Sequence, residues 1–85
     1  MKLTVRYSNQ AAKFLRKSEK VAAKRIMQRI EELASEPLCK DSKKIQGSSS
    51  IFRVRAGDWR ILYETDHSSG ILGIVKIDKR ERVYD

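Results

Sequence analysis

The chain has few of the residues that build metal sites and nucleophilic catalysts: its 85 residues include one cysteine, Cys39, and one histidine, His67. A lone cysteine cannot close a disulfide within the chain, which excludes a disulfide-stabilised fold. One Cys and one His far apart in sequence do not form a zinc site, and a serine nucleophile would lack a nearby His. We therefore expect a protein without a metal or a cofactor.

Glycine and proline are also scarce: the chain has four glycines and one proline. No Gly-rich phosphate loop or dinucleotide-binding fingerprint is present. No apolar run is long enough to span a bilayer, and the N-terminus lacks the apolar block of a secretory signal. We expect one small domain, residues 1–85, in a cytoplasmic protein that does not bind membranes.

Acidic residues are the minority among the charged ones, with 11 Asp and Glu against 19 Lys and Arg and a formal net charge of +8. Such an excess attracts nucleic acids and acidic proteins over long range. The composition therefore favours a polyanionic or acidic partner.

The first half of the chain shows one strand pattern and two helical patterns. Residues 2–7 alternate between polar and apolar side chains, which predicts a strand. Ser8 is the expected cap of a helix over residues 9–17. Ser18 is the expected cap of a second helix that ends near Ser35, because a proline follows at position 37.

The second half predicts strands. Residues 38–50 are polar and turn-prone, which indicates a surface connection. Residues 52–63 predict two strands, and residues 71–77 predict a last one after the turn at 66–70. The order β-α-α-β-β-β predicts an α+β fold, with a helix hairpin packed on one face of a small, mainly antiparallel four-stranded sheet.

The segment FRVRAGDWRILY, residues 52–63, predicts a β-hairpin whose loop is Gly57-Asp58. In this register Arg55 faces Arg60, and Arg53 lies on the same side, with no carboxylate at the adjoining positions of that face before Glu64. The other side carries the residues that can be buried, Phe52, Val54, Ala56, Trp59, Ile61 and Tyr63. Facing arginines repel each other, and a bound polyanion would relieve that repulsion.

An antiparallel meander brings the end of the last strand back beside the hairpin turn, which predicts that Arg80 and Tyr84 lie near Arg60. The guanidinium of an arginine can bind two oxygens of one phosphate at once, and a tyrosine ring can stack on an unpaired base. The same cations could stabilise the transition state of phosphodiester cleavage. The alternative is ordinary solvated charge on a small basic domain.

Several short segments occur here in a fixed order: AKFL at 12–15, Glu36-Pro37, KIQG at 44–47, the hairpin at 52–63, and DKRERVY at 78–84. Together with the order of elements, they make the chain resemble the RelE branch of the RelE/ParE superfamily of type II toxins. The resemblance implies an mRNA interferase that cleaves mRNA in the ribosomal A site. It implies attack by the RNA's own 2′-hydroxyl without a metal, leaving a 2′,3′-cyclic phosphate.

The resemblance also implies roles for single residues. Arg55, Arg60, Arg80 and Tyr84 match the catalytic positions, with Arg80 at the leaving oxygen and Tyr84 stacked on the substrate. Arg53 matches a basic residue that binds RNA, and we add Lys76, Lys79 and Arg82 as candidate phosphate contacts. The implied partners are the ribosome, mRNA and a RelB-like antitoxin with an acidic binding segment.

Arg55 departs from the family pattern, because well-studied relatives carry at this position a lysine that looks like the general base. An arginine holds its proton too tightly for that role at neutral pH, so we assign Arg55 to charge stabilisation. Three explanations stay open: solvent or the ribosome activates the 2′-hydroxyl, Glu81 takes part, or the chain is a weak catalyst.

Two other functions fit parts of the sequence. One is a ParE-like inhibitor of DNA gyrase that cleaves no RNA, and the other is an inactive nucleic-acid-binding relative. The complete arginine and tyrosine set counts against the gyrase inhibitor, which has no need of it.

Overall fold

Two helices pack against one face of a mixed sheet in the computed structural model, which describes residues 2–37, 42–44 and 50–79. The elements are β1 Thr4–Tyr7, α1 Asn9–Lys17, α2 Lys20–Ser35, β2 Lys43–Lys44, β3 Phe52–Ala56, β4 Trp59–Asp66 and β5 Ile71–Lys79. The strand order is β1-β5-β4-β3-β2, with β1 parallel to β5 and the other pairs antiparallel. The predicted α+β fold is confirmed. Neither helix in these ranges has the length and apolarity needed to cross a membrane.

The sheet has one strand more than predicted. Lys43 and Lys44 pair with Arg53 and Phe52 and form β2, within the segment predicted to be an irregular connection. A strand of two residues is too short to show alternation, so the residue pattern does not predict it. The last strand is also longer than predicted, since β5 continues past Ile77 to Lys79.

The helix hairpin is close to the prediction. Ser8 caps α1 as expected: its hydroxyl oxygen accepts a hydrogen bond from the Ala11 amide at 3.1 Å. The predicted cap of α2 is wrong by one residue, because α2 begins at Lys20 with Glu19 at the cap position. Ser18 instead closes α1, and its hydroxyl donates to the Phe14 carbonyl at 2.7 Å. Ser18 and Glu19 both have an extended backbone and separate the two helices.

The core lies between the helices and the sheet, where Ile26, Ile30 and Leu33 of α2 are buried with alternate residues of the strands. Tyr63 is completely buried, and its ring stacks on Phe52 with centroids 5.8 Å apart. Its hydroxyl donates to the Pro37 carbonyl and is hydrogen-bonded to the Ser42 hydroxyl. Tyr63 therefore ties Pro37, which follows α2, and Ser42, which precedes β2, to the middle of the sheet.

A β-bulge at Val75 changes the phase of β5. Leu62 pairs with Lys76 while its neighbour Tyr63 pairs with Ile74, so Val75 is the additional residue. Ile74 and Ile77 are three residues apart and would point to opposite faces of a regular strand. The bulge lets both be buried and puts Lys76 and Asp78 on the face away from the helices.

Side chains from the start of α1 continue the edge of the sheet after β1 ends. The Ser8 hydroxyl donates to the Val75 carbonyl at 2.7 Å. The Gln10 amide donates to the Ile77 carbonyl at 2.8 Å and accepts from the Ile77 N–H at 2.9 Å. These bonds hold the second half of β5 to the helix layer.

Candidate nucleic-acid interface

The central hairpin has the predicted register. Arg55 pairs with Arg60, and Arg53 pairs with Leu62. Gly57 has a φ of +65° whereas Asp58 does not have a positive φ, which is the sign pattern of a type II′ turn with glycine at its first loop position. Because this turn fixes the register, all three arginines belong to the face that is not covered by the helices.

Among the described residues of β2 to β5, this face carries five cations, which we call the basic face: Lys43, Arg53, Arg55, Arg60 and Lys76. Lys43, Arg53, Leu62 and Lys76 pair in sequence across β2, β3, β4 and β5, and so form one row. The row spans about 14 Å at the usual strand spacing. The pair of Arg55 and Arg60 lies in the next row, toward the hairpin turn. The sheet therefore concentrates positive charge over several strands.

A carboxylate stands among these cations, contrary to expectation. Asp78 pairs with Arg60, and its Oδ1 lies 3.6 Å from Arg60 Nε. Its Oδ2 lies 3.9 Å from Lys76 Nζ. The expectation that no carboxylate adjoins the arginines before Glu64 is wrong, because β5 extends two residues further than predicted. The alternation of Lys76 and Asp78 was the available signal for this placement.

Helix α2 supports the strand that carries Arg55. Arg29 Nε donates to the Arg55 carbonyl at 3.2 Å, and Arg29 Nη1 donates to Glu32 Oε1 at 2.7 Å. The Arg29 side chain is only 18% exposed. Arg29 therefore braces the backbone of β3 from the helix layer.

The other predicted site residues are not brought together by the described part of the structure. Lys79 pairs with Trp59, so it belongs to the face opposite the one that carries Arg60. Arg80, Arg82 and Tyr84 lie outside the described residues, and so do Cys39 and Glu81. Their predicted roles stay predictions.

The turn between β4 and β5 lies at the far end of β4 from Gly57. His67 is exposed in this turn, as predicted. Asp66 Oδ1 accepts hydrogen bonds from the Ser68 hydroxyl at 2.7 Å and from the backbone N–H groups of Ser68 and Ser69. These hydrogen bonds lower the pKa of Asp66, and the bond from the Ser68 hydroxyl has the largest effect. In the ranges covered by the structure, no three His, Cys, Asp or Glu residues cluster as a metal site would require.

A groove of about 480 Å³ opens between β1 and α2, lined in part by Val5, Tyr7 and Met27. Tyr7 and Met27 are 37% and 47% exposed, high values for large apolar side chains. Partial burial, with a smaller effect of Glu31, raises the pKa of Tyr7 above its ordinary value. This groove gives the helix side of the molecule an apolar surface.

Comparison with known proteins identifies this arrangement. A family model described as the ParE toxin of type II toxin–antitoxin systems, parDE, matches residues 5–84. The chain belongs to this toxin family. A Methanocaldococcus jannaschii protein that is named as a RelE1 toxin is 32% identical to this toxin over 87 residues, which cover 99% of this chain and 97% of the relative.

Solved structures of RelE proteins share the fold of this toxin. A chain of the archaeal RelE-RelB complex from Pyrococcus horikoshii OT3 matches with a TM-score of 0.82 at 26% identity, covering 98% of this chain and 100% of that one. The isolated E. coli RelE toxin matches with the same TM-score, 0.82, at 16% identity over 95% of this chain and 87% of that one. The latter likeness shows the fold alone. Together with the 32% identical relative, the comparisons confirm the RelE branch of the superfamily.

Proposed function

We propose that this toxin is an mRNA interferase, a ribosome-dependent and metal-independent endoribonuclease that acts in the ribosomal A site. The basic face is the observation that carries the proposal: five cations on one side of the sheet form a surface suited to a phosphodiester chain. The toxin would act in the cytoplasm, with the ribosome and mRNA as its partners.

In the proposed reaction the 2′-oxygen of the mRNA forms a bond to the adjacent phosphorus, and the bond from phosphorus to the 5′-oxygen breaks. The 2′-hydroxyl releases its proton, and the leaving 5′-oxygen takes one up. The products are a 2′,3′-cyclic phosphate and a 5′-hydroxyl, so no metal-bound water is needed. The main contributions are alignment of the RNA and stabilisation of the charge that develops on the phosphate.

The residues divide into two groups in this proposal. Arg53 and Lys76 bind the phosphates of the RNA, with Arg82 as a further contact. Arg55 and Arg60 stabilise the transition state from facing positions on β3 and β4, Arg80 lies at the leaving oxygen, and Tyr84 stacks on a base. Arg55 keeps its proton, so the 2′-hydroxyl loses its own proton to another acceptor.

An antitoxin is the proposed protein partner. Relatives of this toxin at 26% identity were solved as toxin–antitoxin complexes, the archaeal RelE-RelB complex and RelBE2 from Mycobacterium tuberculosis. The net charge of +8 favours an acidic, RelB-like binding segment. The groove between β1 and α2 offers such a partner an apolar contact.

A second candidate is inhibition of DNA gyrase through protein contacts, as implied for a ParE-like toxin. The observation that favours it is the family model, whose description names ParE. The RelE1 relative and the cations of the basic face favour RNA cleavage instead.

The test compares the wild-type toxin with Arg55→Ala, Arg80→Ala and the control Arg16→Ala in a translating extract, with mRNA breaks mapped to single nucleotides. We expect cleavage within the A-site codon, a loss of about 100-fold or more for Arg55→Ala and Arg80→Ala, and unchanged cleavage for Arg16→Ala, whose exposed side chain is on α1. Intact mRNA together with inhibited gyrase supercoiling would support the second candidate. Intact mRNA with active gyrase would overturn both.

A further inference from the structure

Asp78 is the one carboxylate in direct contact with the basic face among the ion pairs given above. Its two oxygens are divided between two cations: Oδ1 is 3.6 Å from Arg60 Nε, and Oδ2 is 3.9 Å from Lys76 Nζ. Arg60 Nε and Asp78 Oδ1 are both buried, although the side chains as wholes are 21% and 31% exposed, and at 3.6 Å they form an ion pair without a hydrogen bond between them. Water therefore screens this contact less than it screens an ordinary surface ion pair.

The position of Asp78 is set by the fold. It lies directly across from Arg60, which lies directly across from Arg55, so the carboxylate occupies the third place in a row that begins with two arginines. The bulge at Val75 turns Asp78 to this face, and the Gln10 amide holds its neighbour Ile77 in place. A negative charge in this place offsets the repulsion between Arg55 and Arg60.

The same charge opposes the binding of RNA. A phosphate that approaches Arg60 or Lys76 meets the Asp78 carboxylate, and like charges repel. A site that only had to bind RNA would bind it more tightly without this carboxylate. Its presence therefore indicates a task other than binding, and the contact with Arg60 Nε identifies that task as holding the guanidinium.

We propose that Asp78 is a positioning residue of the toxin: it fixes Arg60 opposite Arg55 for transition-state stabilisation and lowers the affinity of the basic face for RNA. This inference rests on the proposed RNA cleavage. It predicts two effects of opposite sign when the charge is removed. RNA binds more tightly because one repulsive charge is gone, and cleavage slows because Arg60 is less well placed.

The experiment uses Asp78→Asn and the matched control Asp58→Asn. Both substitutions add one unit to the net charge, but Asp58 is an exposed residue of the hairpin turn. RNA affinity is measured with a short single-stranded RNA without ribosomes, and cleavage is measured at saturating toxin on ribosomes stalled with an open A site. We expect Asp78→Asn to bind RNA about two- to fivefold more tightly and to cleave about tenfold or more slowly. Asp58→Asn should cleave at the wild-type rate, and Asp78→Glu should recover much of the cleavage lost in Asp78→Asn.

Tighter binding with equal or faster cleavage in Asp78→Asn would overturn the positioning role, because Asp78 would then act as a counter-charge alone. Identical behaviour of Asp78→Asn and Asp58→Asn would also overturn it. If Asp78→Asn does not fold, Asp78→Ser makes the same charge change, and unfolding of both variants would assign Asp78 to stability instead. A wild-type toxin that leaves mRNA intact would overturn the proposed function itself, which is a distinguishable result.

Discussion

Asp66 shows how one carboxylate organises a turn. It accepts hydrogen bonds from Ser68 and Ser69 at the point where β4 ends, and Gly70, with a φ of +72°, leads the chain into β5. Side-chain bonds of this kind replace the backbone bonds that a tight turn would make. The Asp66 carboxyl accepts these hydrogen bonds best in its charged form, so the stability of the turn depends on pH.

We expect Asp66→Ala to lower the melting temperature at pH 7 and to have a progressively smaller effect as the pH falls below 3.8. The pKa of Asp66 is lowered in the folded protein, so its charge stabilises the fold above the ordinary carboxyl value of 3.8, and this contribution is lost as the pH falls through the lower folded value. Thermal unfolding of both proteins between pH 3 and pH 7 measures the difference. A difference that does not shrink as the pH falls below 3.8 would mean that Asp66 acts other than through its charge.

The sequence predicts some of the site residues and misses the one that modifies them. Arg53, Arg55 and Arg60 were placed correctly on one face because they alternate with apolar residues on both sides of the turn. Asp78 falls just outside the predicted strand over residues 71–77, because a strand pattern that ends in alternating charges resembles a solvated segment. Its pairing with Arg60 depends on the length and the bulge of β5, which are tertiary features.

Among the elements, the β3–β4 hairpin depends most strongly on a single glycine. Gly57 has a φ of +65°, in the left-handed region that L side chains rarely adopt. A Cβ at this position would also lie 3.3 Å from Arg25 Nη1. The turn fixes the register of the two strands, and that register decides which face carries the arginines.

We expect Gly57→Ala to lower the free energy of unfolding by about 1 to 2 kcal/mol, because alanine is strained in this backbone conformation. Gly73→Ala is the control, since Gly73 does not have a positive φ and a Cβ there would meet Glu64 Cγ at an ordinary 3.6 Å. Its free energy of unfolding should be unchanged or raised by up to about 1 kcal/mol. Urea denaturation measures both variants, and equal losses would contradict the explanation.

Elements with a strong local signal were predicted better than elements defined by their neighbours. The Gly57-Asp58 pair and the alternation around it are local, and the Ser8 cap is local too. Strand β2 exists only because Lys43 and Lys44 reach β3, and the bulge at Val75 exists because Ile74 and Ile77 share one core. Single-sequence patterns do not contain such pairings.

At the scale of the whole molecule, charge is distributed over both sides of the sheet. The basic face carries its cations on adjacent strands, whereas the helix layer carries exposed lysines such as Lys13 and Lys17. The net charge of +8 attracts RNA from any direction, so attraction alone does not identify a binding face. The salt dependence of RNA affinity, measured for variants on each side of the sheet, shows which of the two surfaces binds RNA.

We expect the logarithm of the affinity for single-stranded RNA to fall with the logarithm of salt concentration with a slope of about −3, as for about four neutralised phosphates. The double variant Lys43→Ala/Arg53→Ala should reduce the slope by about one unit or more. The matched pair Lys13→Ala/Lys17→Ala on the helix layer should leave it unchanged. Equal reductions in the two pairs would show that RNA binds over the whole surface. Fluorescence anisotropy at several salt concentrations provides the measurement.

The bonds of Ser8 and Gln10 to β5 restrict how another polypeptide can reach this region. A free strand edge invites an incoming chain to extend the sheet, but here the backbone groups of Val75 and Ile77 already have partners from the first turn of α1. A protein that silences this toxin cannot insert a strand along that stretch without first displacing α1.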